Sequence, residues 1–506
     1  MKKPLPLRWI ATGVLLLLML GLAAFGFLRS ADRACDLYVR RMAAVMWIAA
    51  GAVGLAALHR RRMKPETLFL LCGAVIGVCF LFCVSPLGVP DEAEHYNTSL
   101  WQATALLGHA GETDAAYLST DDMYPGVTTF VTFNAQFEKL FTEPLTGVTE
   151  TFSHGWAAYP LEYAPQTLGT VLGLLLGANR WQLYLWGMVF NLAFYLGITW
   201  LAIRRVPTGK PLLAVVALMP MALHQAASFS YDSFINAMAF LFLAEVLRCA
   251  LGHGRLTGRQ LAPVLVTGLL LAPAKAVYAL MLALFLLIPR ERFGGLRRKL
   301  LWAAGLCAAA LLLILFTYRD WLGAQLTATA ATAAETNYGR YTLDLLLAQP
   351  LTAARLILVS LNQFLLGDYL LTMVGSLLGA SNITVSTAYV MLYLLLLVFA
   401  ALVPSKEDVR LAPTVRVTGA AVSLGVILAV LCTMLIGWTP VDLGYIAGVQ
   451  GRYFIPIAAL LALSLRPSFV EGSRDLTKPL CLTALLADTL VVWSLLSSIV
   501  ATQPAV

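Results

Sequence analysis

Apolar runs long enough to cross a bilayer recur along this chain, and they constrain its fold more than any other feature. A bilayer core takes about 20 apolar residues per helix. Runs of that length, or nearly so, occupy 9–28, 42–58, 67–84, 181–203, 211–229, 233–251, 300–317, 385–403, 415–437, 453–466 and 479–500. Backbone in lipid must satisfy its own hydrogen bonds, and a helix does this within one segment. The pattern therefore predicts an all-α polytopic membrane protein, a bundle of about 11–14 transmembrane helices. Two further runs are interrupted. Residues 261–289 contain Pro273 and Lys275 and have basic flanks, which predicts two short helices, in and back out. Residues 344–380 contain Pro350, Arg355, Asp368 and several glycines, which predicts a re-entrant hairpin or a pair of tilted helices.

Composition closes the alternatives. Of 506 residues, 59% are hydrophobic and 12% charged, and the mean hydropathy is +0.79. Soluble domains carry about 25% charged residues, so a soluble globular protein is excluded. A disordered chain and a basic nucleic-acid-binding domain are excluded with it. The net charge of +8 has a topological source. Assigning the N-terminus, 59–64, 204–210, 252–260, 290–299, 404–416 and 466–478 to the cytoplasm places 23 of the 35 Lys and Arg residues there, as the positive-inside rule asks. The loop 29–41 breaks the rule, with Arg29, Arg33, Arg40 and Arg41 outside. Residues 1–28 read as a retained anchor rather than a cleaved signal, because the charged loop leads straight into another span. The eight cysteines show no metal spacing or disulfide framework, and all but Cys35 lie in or beside apolar runs. They are expected to act as small packing residues.

This orientation makes 85–180 a long external segment with eleven acidic and two basic residues. The chain then divides into N-terminal spans (1–66), a core bearing the external loop (67–343) and C-terminal helices (344–506).

Five short constellations face that side. Pro90-Asp91-Glu92-Ala93-Glu94-His95 follows the run 67–84. Proline and acids suit a helix start, so 91–107 reads as an amphipathic helix on the outer surface. Asp91 and His95, four apart, share a face. Asp91 could serve as a general base, and Glu92 beside it is the second candidate catalytic carboxylate. Asp91, Glu92 and His95 would also permit a divalent metal such as Mg or Mn, although the motif is not specific to metals. A simple cap with solvated charges explains the same letters. Tyr159 to Pro165, with Tyr163, reads as rigid and extended, either a site element or an interfacial anchor. Tyr231 and Asp232 sit in a tight turn, where the acid could simply cap the next helix. Lys275, with Tyr278, is an ionisable residue inside an apolar run, a functional position by default unless it snorkels. Gly448-Val449-Gln450-Gly451-Arg452-Tyr453 offers a guanidinium fork suited to phosphate, and glycines that permit close backbone approach. Gln450 and Tyr453 join it as contacts. Arg340, between Tyr338 and Tyr341, is a weaker version of the same idea.

The strings VPDEAEHY, MPMALHQAASFSYDS, LAPAKAVYAL and GVQGRYFIP, in that order over residues 85–460, resemble the bacterial family labelled domain of unknown function 2142. That family resembles the GT-C class of integral-membrane glycosyltransferases. The resemblance implies a plasma-membrane enzyme with its site facing outside, moving a sugar from a polyprenyl-phosphate donor to an envelope glycan or lipid. Asp91 takes the place of the class's catalytic acid in the first external loop. Lys275 and Arg452 would steady the departing lipid phosphate. Two extra apolar runs precede that loop here, where the class places one helix. A transporter or flippase of a lipid-linked precursor is the competing reading. It asks for inverted repeats and midplane charges, and no repeat is visible in the sequence.

Overall fold

The computed structural model describes residues 37–60, 62–84, 86–118, 130–320, 339–379 and 383–501. The run 9–28 and most of the loop 29–41 lie outside these residues. Among the described residues, eight helices are long and apolar enough to cross a membrane. They are Met42–His59, Pro65–Cys83, Arg180–Arg205, Asp232–Leu251, Leu296–Thr317, Pro350–Val374, Pro413–Trp438 and Thr477–Ser498. Three shorter apolar helices, Ala276–Leu287, Thr387–Leu402 and Gly451–Leu465, accompany them. The protein is thus a mostly helical polytopic membrane protein. Two small antiparallel ribbons interrupt the helical rule, Glu112–Asp114 with Thr149–Thr151 and Leu377–Leu378 with Ile383–Thr384. One hydrophobic core runs from Ala43 to Leu496 across all three segments of the chain.

Several elements depart from the sequence expectation. The run 211–229 is not one span. Pro220 lacks an amide hydrogen and crowds the preceding turn, so the run forms two short helices, Lys210–Ala217 and Pro220–Ala226. Both are buried, and neighbours supply the missing partners: the Tyr195 hydroxyl donates to the Ala217 carbonyl and the Tyr393 hydroxyl to that of Val215, each at 2.8 Å. The run 344–380 is neither a re-entrant hairpin nor a tilted pair. Pro350 sits at a helix start, where proline is welcome, and the chain continues helically to Val374 through a π turn at Leu365–Leu370. The segment after Tyr159 is not extended. Pro160 and Pro165 each open a helical piece, the 3-10 turn Pro160–Tyr163 and the helix Ala164–Leu175. The helix Glu92–Leu106 forms where expected but does not lie on the surface. Tyr96, Leu100 and Ala103 enter the core, and Ser99, Gln102 and Thr104 are buried as well. By contrast, 261–289 does split in two, as Gly258–Ala274 and Ala276–Leu287, with Lys275 at the break.

The basic loops gather at one end. Glu245 receives Arg205 at 2.5 Å and Arg248 at 2.6 Å. Asp408 receives Arg466 at 2.7 Å and the Gly209 amide at 2.5 Å. Lys478 donates to the Arg60 carbonyl. Leu256 bonds the Arg292 carbonyl at 2.8 Å, joining two more of these loops. The helix Asp232–Leu251 spans the distance between ends: Asp232 opens it, and Glu245 stands 13 residues on, roughly 20 Å away along the axis.

Candidate functional site

The end carrying Asp232 collects the charges that topology does not explain. Each arrives on a helix terminus or break. Lys275 sits where Pro273 stops one helix and a 3-10 segment begins. Arg452 lies in the 3-10 turn Gly451–Phe454 that leads into Ile455–Leu465. Asp91 immediately precedes Glu92–Leu106 with a left-handed backbone, φ +61°, and its side chain makes no capping bond. The cap reading therefore does not describe Asp91. A non-glycine residue in that region is uncommon, and Asp tolerates it better than most.

These termini bring their side chains together. Lys275 Nζ stands 3.5 Å from Asp232 Oδ1, and Arg452 Nε 3.5 Å from Asp232 Oδ2. Arg452 Nη2 lies 4.0 Å from Asp91 Oδ2. Gln225, with its amide turned to satisfy both neighbours, donates to Asp232 Oδ2 and accepts from Arg452 Nη1, each at 3.2 Å. Lys275 also faces the Tyr453 ring at 4.2 Å and the Tyr231 ring at 5.6 Å, a cation–π cage. The Tyr278 hydroxyl holds the Tyr453 carbonyl at 2.8 Å, fixing the turn that presents Arg452. Burial is the largest influence on Lys275 and opposes its charge, but the Asp232 carboxylate together with the Tyr231 and Tyr453 side chains holds the ammonium above the usual lysine range. Asp232 and Arg452 are buried, whereas the Asp91 side chain is 74% exposed.

Around this core lie aromatic and acidic neighbours. His95 Nδ1 shares a 2.8 Å hydrogen bond with the Tyr163 hydroxyl, and its ring meets Tyr231 edge-on at 5.0 Å. Burial lowers the His95 pKa to about 4 despite nearby Asp232 and Asp91, so the ring is neutral at pH 7. Burial raises the Glu162 carboxyl well above its usual range, with Lys275 acting in the other direction. Glu92 turns away from the cations. Its oxygens accept from the Val89 and Phe229 amides, each at 2.9 Å. It is a latch between two loops. Burial pushes its pKa up to about 7, although these bonds and Tyr184 pull downward.

The Gln225–Ser233 turn that delivers Asp232 is held by two more buried amides. Asn191 Nδ2 donates to the carbonyls of Ser228 at 2.7 Å and Ser230 at 3.1 Å, and its Oδ1 accepts from Ser233 at 2.6 Å. Gln166 donates to Phe229 and Ser230, each at 3.2 Å. Sequence reasoning passed over Gln225, Asn191, Gln166 and Glu162. For Gln225 and Asn191 the available signal was a polar residue inside an apolar run, the same signal that marked Lys275.

Three other expectations take a different form. Asp91, Glu92 and His95 do not make a metal centre: Asp91 faces Arg452, Glu92 two backbone amides, and His95 Tyr163. Among the described residues no group of three His, Cys, Asp or Glu side chains could hold a metal ion, so no step is derived through one. The close approach at Gly451 is to the chain's own backbone. A side chain there would strike Met373 N and the Tyr369 carbonyl, and the Gly451 amide donates to Thr372 Oγ1 at 3.1 Å. Arg340 stands apart from the cluster, bonded to the Gly437 carbonyl at 3.2 Å and facing the Trp438 ring at 5.5 Å. Gln450 lines a cavity beside Arg452 with Pro90, His224 and Asp368. Tyr338 lies outside the described residues.

The family model described as "Predicted membrane protein (DUF2142)" matches residues 126–461, about two thirds of the chain. The chain belongs to this family. The DUF2142 match includes Asp232, Lys275, Arg340 and Arg452, while Asp91, Glu92 and His95 precede it. No curated protein and no solved structure matches the chain.

Proposed function

We propose that this DUF2142 protein is an inverting GT-C-type glycosyltransferase of the bacterial plasma membrane. Its donor is a sugar on a polyprenyl phosphate, and its acceptor is a hydroxyl of an envelope glycan or lipid at the extracytoplasmic face. The observation that carries this reading is the meeting of Asp91, Asp232, Lys275 and Arg452, from four separate helix ends, within ion-pair distances. Asp232 is engaged by Lys275, Arg452 and Gln225, so its task is to hold the cations. Asp91 is the accessible carboxylate. It takes the proton of the acceptor hydroxyl as that oxygen bonds the anomeric carbon from one face. The bond from that carbon to the phosphate oxygen breaks on the other face, and its electron pair leaves with the lipid phosphate. Lys275 and Arg452 stabilise that anion. A general base contributes about 10²–10⁴-fold.

The test is transfer of a labelled sugar from polyprenyl phosphate by the purified protein. Turnover by wild type that is lost in Asp91→Asn fits the proposal; wild-type turnover in that variant sinks the base assignment.

One observation favours the transporter reading. Asp488, within Thr477–Ala501, is fully buried with both carboxylate oxygens lacking a partner among the described residues, and such intramembrane acids mark ion or proton paths. Translocation of labelled lipid across reconstituted vesicles, without sugar transfer, would select it.

A further inference from the structure

The cavity beside Arg452 contains polar groups that the chain leaves unmatched. His224 lines it and is 2% exposed. Its Nε2 accepts from the Gly379 amide at 3.3 Å, which leaves the ring proton on Nδ1. That Nδ1 has no partner among the described residues. A buried donor without an acceptor keeps its full desolvation penalty, so one retained on a residue of a cavity wall points to an acceptor brought by a ligand. Asp368 lines the same cavity and is the opposite in kind, a carboxylate that only accepts. It sits on the π turn Leu365–Leu370, a helix distortion that recurs at functional sites. Among the described residues no hydrogen bond engages its carboxylate. Gln450 offers both a donor and an acceptor, and Met221 and Leu377 supply apolar wall.

A ring bearing several hydroxyls fits this set. Each hydroxyl both donates and accepts, and the C–H face of the ring needs apolar cover. An inorganic phosphate would engage Arg452 but would leave Asp368 facing another anion. We infer that this cavity is the glycosyl subsite, in which His224 Nδ1–H donates to one sugar hydroxyl and Asp368 accepts from another while Arg452, in the same lining, meets the phosphate. The inference rests on the proposed glycosyltransferase reading and names where the donor's sugar lies.

The experiment uses the full chain in lipid nanodiscs. Binding of sugar-free polyprenyl phosphate is compared with binding of a panel of polyprenyl-phosphate hexoses and pentoses. Asp368→Asn and His224→Gln should each weaken a glycosylated lipid about tenfold and leave the sugar-free lipid unchanged. Arg452→Gln should weaken both. If the Asp368 and His224 variants weaken both lipids alike, or neither, the subsite is overturned while binding that responds to Arg452 keeps the lipid-phosphate reading intact. If wild type binds neither lipid, that reading falls and the subsite with it. Asp368 is part-exposed, so its variant is the safer of the two for folding.

Discussion

Asp91 illustrates what a single residue contributes here. It is exposed, left-handed and uncapped, so its carboxylate does little for the fold. Asp91→Asn should therefore lower turnover at least about 100-fold while leaving the melting temperature in detergent unchanged. Lys275→Met should lower turnover and stability together. It strips one cation from the buried Asp232 carboxylate, and because Arg452 and Gln225 still engage that group the cost should lie at the low end for a broken buried pair, about 3 kcal/mol, read as a lowered melting temperature. Glu92 yields a pH prediction. Its carboxyl is held at about 7 in the fold against about 4.3 in an unfolded chain. The folded state therefore holds the extra proton between those values. That stabilisation is complete below the unfolded value and is lost as pH rises through about 7. Melting temperature in wild type should fall across that window, and Glu92→Gln should flatten that fall. The residues themselves were partly legible. Lys275 stands out as a charge inside an apolar run, where desolvation is costly, whereas Asp232 drew notice as an acid in a tight turn between two runs and Arg452 as a guanidinium in a glycine-containing string. Glu92 looked catalytic from its letters alone. Its role as a latch depends on amides at Val89 and Phe229, the latter 137 positions away, and no local pattern encodes such a partner.

At the scale of elements, the site depends on where helices stop. Counting apolar residues measures transfer into lipid, not chain direction. It therefore placed Pro65–Cys83 and Pro413–Trp438 well but read 211–229 as a single span across Pro220. The same blindness drew the chain after Tyr159 as extended, because proline opens a helix as readily as it breaks one. The contact between Gly451 and the backbone of Tyr369 and Met373 gives an element-level prediction. Gly451→Ala should displace the Gly451–Phe454 turn, costing about 1–3 kcal/mol and abolishing activity by moving Arg452. Gly197→Ala is the control. It lies within Arg180–Arg205, and an added carbon would meet nothing, so it should leave activity intact and raise stability by about 0.5–1 kcal/mol. Parallel melting curves and transfer assays distinguish the two.

The whole molecule has one core and two polar ends. The basic loops tie to one another at one end, and the Asp232 cluster lies at the other. If the positive-inside rule sets the orientation, the ribbon at Thr149–Thr151 faces outward and the start of Leu296–Thr317 faces the cytoplasm. With Cys35, Cys307 and Cys432 replaced by alanine, Glu150→Cys should react with an impermeant thiol reagent in intact cells. Arg298→Cys should react only after the membrane is opened. The reverse pattern would place the cluster inside and end the extracytoplasmic proposal. The latches described at Glu92, Asn191 and Gln166 bear on how a substrate is received. They grip backbone, not one another's side chains, and they join the loop before Glu92–Leu106, the helix Arg180–Arg205 and the turn before Asp232 into one frame. A ligand entering such a frame spends little of its binding free energy on ordering loops. Its affinity should then report directly on the groups it touches, and its association rate should be set by arrival from the bilayer rather than by a closing motion of the protein.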